Sequence, residues 1–471
     1  MSKPNETSAL LLALVITGAI VAGGGWWLAQ SGLLGGSEEP SATTPGTTAG
    51  APNAGSASGD RLSSGEQILV PNPTAAKQAG AAAMAAGNYA EAVNQFEASL
   101  QAQRNDPEAL IYLNNARIGS SPAHGIAVAT PLGNNLGAAA ELLRGIAQAQ
   151  NEINQAGGIN GRPLKVIIAD DANQPDTAAE IAQQLAANSE VLAVVGHFSS
   201  DSSLAAGEVY QQQSLPMISP TSTSVDLTSK GNFLFRTVPS DRFTASALAR
   251  YVLETLQLTK AAVFFNANSN YSNSLKDAFT TDLFSQGGEV VGEFNLVDAG
   301  FNASTAFQQA RDRGAEVLVL LPNSDVLETA LQVAQANGSA LPIVTGDSAY
   351  SAKTLEMGRE AMVGAVFAIP WHSLAHAGAA FPPAAQQLWG GEVNWRTVMA
   401  YDAAQALAAA IARNPSRQGV QQALADSGFS APGATSEVRF LPSGDRNQAV
   451  QLVTVQAGDR TSFGFEFVPI P

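Results

Sequence analysis

The chain is predicted to be an α/β protein of two doubly wound parallel-sheet lobes, preceded by a small all-α helical-repeat segment. Three observations lead there. From about Gly125 onward, short β-branched runs alternate with helical patterns, the order that gives parallel sheets covered on both faces. Beyond Asp241 the alternation restarts, so there are two series. Residues 73–120 carry helical periodicity with no strand signal between.

The 471 residues are 45% hydrophobic and only 14% charged, with a net charge of −16 and a pI near 4.7. No basic cluster is available to a phosphate backbone, which argues against nucleic-acid binding. Cysteine is absent, which excludes disulfides, thiolate metal sites and a cysteine nucleophile.

Ala9 to Leu28 is an uncharged run of 20 residues, long enough to span a bilayer as a helix, with Trp26 and Trp27 near its end. Residues 1–30 are therefore expected to be a membrane anchor, a cleaved signal segment being the alternative. Ser31 to about Gly65 is rich in Gly, Ser, Thr and Pro, and residues 31–72 are expected to form a disordered linker.

Helical patterns follow at Ala75–Ala86, Tyr89–Gln103 and Pro107–Gly119. The first pair resembles a tetratricopeptide repeat, with Ala79 and Gly80 at close-packing positions and Ala92 and Phe96 facing inward. A lone repeat needs a neighbour to pack on. The segment reads equally as a spacer or as a partner-binding module.

The main domain, 122–471, opens with a strand at Gly125–Thr130. Ala138, Leu142, Ile146 and Ile153 then recur at helical steps, and Gly157, Gly158 and Gly161 mark a helix stop and tight turn. Leu164–Ala169 is a strand closed by Asp170 and Asp171. Further strands are expected at Val191–Gly196, Leu215–Ser219, Lys260–Asn266, Glu289–Asn295, Glu316–Leu321 and Leu341–Thr345, with helices between them.

These residues carry a family resemblance. Ala149–Asp171, Val195-Gly196-His197, Pro216–Pro220 and Phe440–Asp445 resemble, in order and spacing, type I periplasmic solute-binding proteins of the leucine/isoleucine/valine-binding class, which serve ABC importers. The resemblance implies two lobes with a hinge of three crossings, closing on a small ligand. Lobe one would be about 125–239 and 371–422, and lobe two about 240–370 and 423–471. It also implies an amino acid of the branched-chain type or a similar small polar solute as ligand, ABC permease subunits as partners, and an extracytoplasmic location in the periplasm. No cofactor and no enzymatic activity are expected.

The resemblance names ligand-binding positions residue by residue. Ser200 opens a helix whose free N–H groups suit a ligand carboxylate; taken alone, Ser199–Ser202 reads as an ordinary N-cap. Thr221 would contribute its backbone and Thr223 its hydroxyl. Tyr271 lies just past a strand of lobe two, and Asp347 is suited to pairing with an ammonium. Leu136 and Asn323 stand where relatives often place aromatics, so a differently shaped or more polar pocket is expected.

Asp170-Asp171 is not expected to be an acid/base pair, because adjacent strand residues point to opposite faces. His372 and His376 lack a third metal ligand. Two alternatives to a transport receptor stay open: an anchored sensor signalling through the helical segment, and a scaffold with an empty cleft.

Overall fold

A computed structural model describes residues 61–470 of the chain. The expected anchor at Ala9–Leu28 and most of the expected linker lie outside the described residues. Among the described residues no helix is long and apolar enough to cross a membrane.

The first sheet contains β1 (Leu62–Ser63), β2 (His124–Thr130), β3 (Leu164–Asp170), β4 (Val191–Val195), β5 (Met217–Ser219) and β6 (Leu234–Arg236), in the order β1-β3-β2-β4-β5-β6. β2 to β6 are parallel, while β1 runs antiparallel to β3. The strand order reverses at β2, which opens a crevice at the carboxyl ends of β2 and β4. β2 is buried along its whole length, as expected of a central strand covered on both faces.

Three helices punctuate these strands: α4 (Leu136–Gln155), α5 (Pro175–Ala187) and α6 (Ser200–Gln212). The turn after α4 needs glycine at 158, where φ is 77° and a Cβ would stand 2.3 Å from the Arg162 carbonyl oxygen.

The second sheet has the order β13-β12-β11-β10-β9-β7-β8. Its parallel part is β7 (Lys260–Phe265), β8 (Glu289–Asn295), β9 (Val317–Leu321), β10 (Ile343–Thr345) and β11 (Val366–Ile369). The connecting helices include α7 (Asp241–Arg250), α8 (Asn270–Ser285), α9 (Ala303–Asp312) and α10 (Leu327–Asn337). At the edge, β12 (Gln451–Ala457) and β13 (Phe465–Pro469) are antiparallel. β12 enters from the other lobe, without a covering helix, and a short loop returns the chain as β13.

The chain passes between the sheets three times, near residues 237–240, 370–372 and 447–450. Gln448 Nε2 donates to the Pro370 carbonyl at 3.0 Å, tying the second and third passages together. Between those two passages α11 (Phe381–Trp389), α12 (Trp395–Arg413) and α13 (Arg417–Ala425) return to the first lobe. α12 lies against α4 so closely that a Cβ on Gly145 would meet the Thr397 carbonyl oxygen at 2.2 Å.

Two expected boundaries are corrected. Residues 423–446 were expected in lobe two, yet the Arg236 amide donates to the Gly444 carbonyl and Arg446 pairs with buried Asp402 of α12 at 2.9 Å. These bonds place that segment on the first lobe. Residues 61–72 were expected to be linker, but β1 extends the first sheet and Arg61 pairs with Asp170 at 2.9 Å. Backbone pairing to an open sheet edge holds this segment, something its composition does not reveal.

The helical segment consists of α1 (Ala75–Ala85), α2 (Tyr89–Ala102) and α3 (Pro107–Ile118). A Cβ on Gly80 would meet the Phe96 ring at 2.7 Å, so α1 and α2 pack at close range. Lys77 is buried between Asp106 and Glu108, at 2.8 and 2.6 Å. α3 packs on α4 and β3, and the segment belongs to the same compact unit as both lobes.

Candidate functional site

Loops at the carboxyl ends of both sheets converge on a cavity of about 290 Å³. Lobe one supplies Asn173 and Gln174 after β3, Phe198 to Asp201 after β4, and Thr221 after β5. Lobe two supplies Asn266, Asn268, Ser269 and Tyr271 after β7, Asn323 to Asp325 after β9, and Asp347 and Ser348 after β10. Trp395 and Arg396, at the start of α12, complete the lining.

Of the five expected ligand-binding residues, Ser200, Thr221, Tyr271 and Asp347 line this cavity together. Ser200 is the first residue of α6, and the Ser199 side chain accepts from the Ser202 amide at 3.2 Å. The remaining N–H groups of that turn lack intrahelical partners and carry the positive end of the helix dipole. The Thr221 hydroxyl donates to the Phe198 carbonyl at 2.8 Å, and the Thr221 amide donates to Ser219 Oγ at 3.4 Å.

Thr223 is not part of the lining. Its carbonyl accepts from the Asp241 amide at 2.9 Å, and its buried hydroxyl lies beside the Asp241 carboxylate at the first passage between lobes. Burial pushes the Asp241 carboxyl up to about 7, against the opposing effect of the Ser274 and Thr223 hydroxyls.

Opposite the α6 turn, Tyr271 donates to Asp347 Oδ1 at 2.8 Å. Burial raises the Asp347 carboxyl above its ordinary range; the Tyr271 hydroxyl and the positive charge of Arg396 pull the other way. Burial also raises the Tyr271 phenol, with the Asp347 charge adding to it.

The lobes touch across the cleft. Asp201 Oδ1 accepts from the Asn270 amide at 3.2 Å and from its side chain, and Ser274 Oγ accepts from the Val225 amide at 3.0 Å. The cavity continues into a second chamber of about 630 Å³, lined by Asn134, Asn135, Glu141 and Lys353 among others, with Phe198 and Arg396 at the junction.

Leu136 does not enter either chamber and is 40% exposed; its loop contributes asparagines instead. Asn323 lines the cavity and accepts from Asn266 Nδ2 at 2.9 Å. The pocket is accordingly polar at both positions.

Arg396 was missed from the sequence. Its signal was an arginine in the first turn of an alanine-rich helix, in which most residues are buried.

The two motifs set aside from the sequence have structural partners. Asp170 accepts from the Gly133 amide, and Asp171 pairs with His197 Nδ1 at 2.6 Å, on opposite sides of the strand end. His372 accepts from the Leu374 amide, and burial pulls its imidazole down to about 4. His376 stacks on Trp371. Among the described residues no group of three metal-ligating side chains comes together.

A family model for periplasmic binding proteins matches residues 125–460. The chain belongs to the periplasmic binding protein family. An amino acid binding protein of Pseudomonas aeruginosa is 34% identical over 195 residues, 41% of this chain and 52% of that protein. The leucine-specific-binding protein of Salmonella typhimurium is 31% identical over 157 residues, 33% of this chain and 42% of that protein. The chain thus spans about half the length of the curated relatives it matches.

Among solved structures, an ABC transporter substrate-binding protein of Desulfitobacterium hafniense in complex with leucine is 27% identical, with a TM-score of 0.62 over 74% of this chain and 100% of that one. A leucine binding protein of Thermotoga maritima is 23% identical, with a TM-score of 0.64 over 73% and 97%, a likeness of fold alone.

Proposed function

We propose that the protein is the extracytoplasmic receptor of an ABC importer, held at the inner membrane by Ala9–Leu28, and that it closes its lobes on an α-amino acid. One observation carries this reading: the first turn of α6 and the Asp347–Tyr271 pair face one cavity from opposite lobes. A helix N-terminus and a buried carboxylate are complementary to the two poles of an amino acid zwitterion. A ligand that bridges the lobes binds the closed state better than the open one, and that difference drives closure. The names of the relatives, amino acid and leucine binding among them, support the same solute class.

The test is thermal shift of the full-length chain against the twenty amino acids, small amides and aromatic carboxylates. A ligand at a hundredfold excess over Kd adds about 2.7 kcal/mol of stability. Stabilisation by amino acids alone supports the reading; stabilisation by none removes it.

A second reading is favoured by the helical segment, which resembles a tetratricopeptide repeat and is joined to lobe one through β1 and α3. In this reading it relays lobe closure to a partner protein, and the chain is a sensor. Crosslinking in membranes separates the two: permease subunits support the importer, and a regulator recovered through α1–α2 supports the sensor.

A further inference from the structure

Arg396 is 8% exposed and lies at the junction of the two chambers. Among the described residues the only hydrogen bond of its side chain runs from one terminal nitrogen to the Tyr350 carbonyl at 3.2 Å, and its Nε is buried without a partner. No carboxylate oxygen of the described residues comes within 4.0 Å of it. The nearby acids are engaged elsewhere: Asp347 accepts from Tyr271, and Glu141 pairs with Arg144 and accepts from Thr397. A buried cation is expected to have a partner, and this one has only distant ones.

The guanidinium carbon lies 4.3 Å from the Trp395 ring centroid and 6.0 Å from that of Phe198. Aromatic contacts of this kind leave the N–H edge for a planar acceptor such as a carboxylate.

We propose that Arg396 receives a second anionic group of the ligand, so that the solute is an α-amino acid with a side-chain carboxylate. This deepens the amino acid reading above and rests on it. In that reading the α-carboxylate goes to the α6 turn and the ammonium to Asp347, and a third fixed charge is matched by a third ligand charge. An aliphatic side chain would seal the guanidinium in a closed cleft with Nε unpaired. The second chamber gives the acidic side chain room to extend past Phe198.

The test is calorimetric titration at pH 7 of the full-length chain, wild type, Arg396→Met and Arg396→Lys, with L-glutamate, L-glutamine, L-leucine and glutarate. Glutamate is expected to bind wild type more tightly than leucine. Arg396→Met is expected to lose roughly thirtyfold or more for glutamate and several-fold less than that for leucine, which shares only the contacts to Asp347 and the α6 turn. Arg396→Lys is expected to lose less, since it keeps the charge but not the fork.

Leucine binding wild type as tightly as glutamate overturns the inference and leaves the amino acid receptor standing. The wild-type ranking decides this even if the methionine variant fails to fold. Glutarate bound in an Arg396-dependent way, with no amino acid bound, keeps the anion site and removes the amino acid reading. Binding of none of the four overturns both.

Discussion

The Tyr271 hydroxyl donates to Asp347 Oδ1 at 2.8 Å and accepts from the Ser348 amide at 3.3 Å. One phenol thereby joins the start of α8 to the loop after β10 and orients a carboxylate that burial makes costly to ionise. The ammonium of the proposed ligand would favour the charged form, so in that reading the pair serves a cationic ligand group rather than stability of the empty cleft.

Asp347→Asn is therefore expected to weaken amino acid binding roughly thirtyfold or more, and Tyr271→Phe roughly tenfold, in line with the loss of charge-assisted hydrogen bonds. The melting temperature of the unliganded Asp347→Asn variant should equal or exceed that of wild type. Calorimetry and thermal melts on the same preparations check both statements; equal affinity in wild type and Asp347→Asn would remove the carboxylate from the site.

Asp241 gives a pH prediction. Its carboxyl is raised from 3.8 to about 7 by burial, so between these values the native state holds a proton that the unfolded state has lost. This contribution to stability is complete below about 4, declines as pH rises, and is gone above about 7. Asp241→Asn imitates the protonated form. Its melting temperature should gain on wild type by a few degrees between pH 5 and pH 7.5, while a constant difference across that range would contradict the assignment.

The cross-cleft bonds from Asn270 to Asp201 favour the closed arrangement. Asn270→Ala removes the side-chain donor and should shift the unliganded population toward open forms. Ligand affinity is expected to fall about three- to tenfold through faster dissociation, with the melting temperature little changed. Stopped-flow dissociation and small-angle scattering of the unliganded protein measure the two effects.

How much of this was legible in the sequence depends on the range of the interaction. The strand Leu164–Asp170 and the turn at Gly158 are local: β-branched residues and a positive φ announce themselves. That Ser200, Thr221, Tyr271 and Asp347 would meet at one cavity was legible because they follow recognisable strands, and in a parallel sheet such loops share one edge. That Thr223 falls outside the lining was not legible, because its surroundings are set by a contact with Asp241, 18 positions on, that no local pattern encodes. The burial of Arg396 depends on Trp395, Phe198 and the return of α12 to the first lobe, all tertiary facts. Residues 61–72 read as linker because edge pairing leaves no trace in composition.

Asn115 is where the helical segment and the first lobe share one network. Its Nδ2 donates to the carbonyls of Val166 and Ser64, at 2.7 and 2.8 Å, and its Oδ1 accepts from Gln150 at 2.9 Å and from the Val166 amide at 3.2 Å. A single amide thus stands in for a neighbouring strand at the middle of β3. Asn115→Ala would strand the buried Val166 amide and carbonyl and one N–H of Gln150, whose Nε2 keeps its bond to the Leu164 carbonyl. The loss is about 2–4 kcal/mol, from groups that each cost about 1–3 kcal/mol when left unsatisfied. Because α3 packs on α4 and β3, the loss should appear as one lowered transition rather than as early melting of the helices alone. Amide exchange should speed up together in α3 and β3 and leave the second sheet protected. Faster exchange confined to residues 75–118 would show instead that the helical segment unfolds independently of the lobe beneath it.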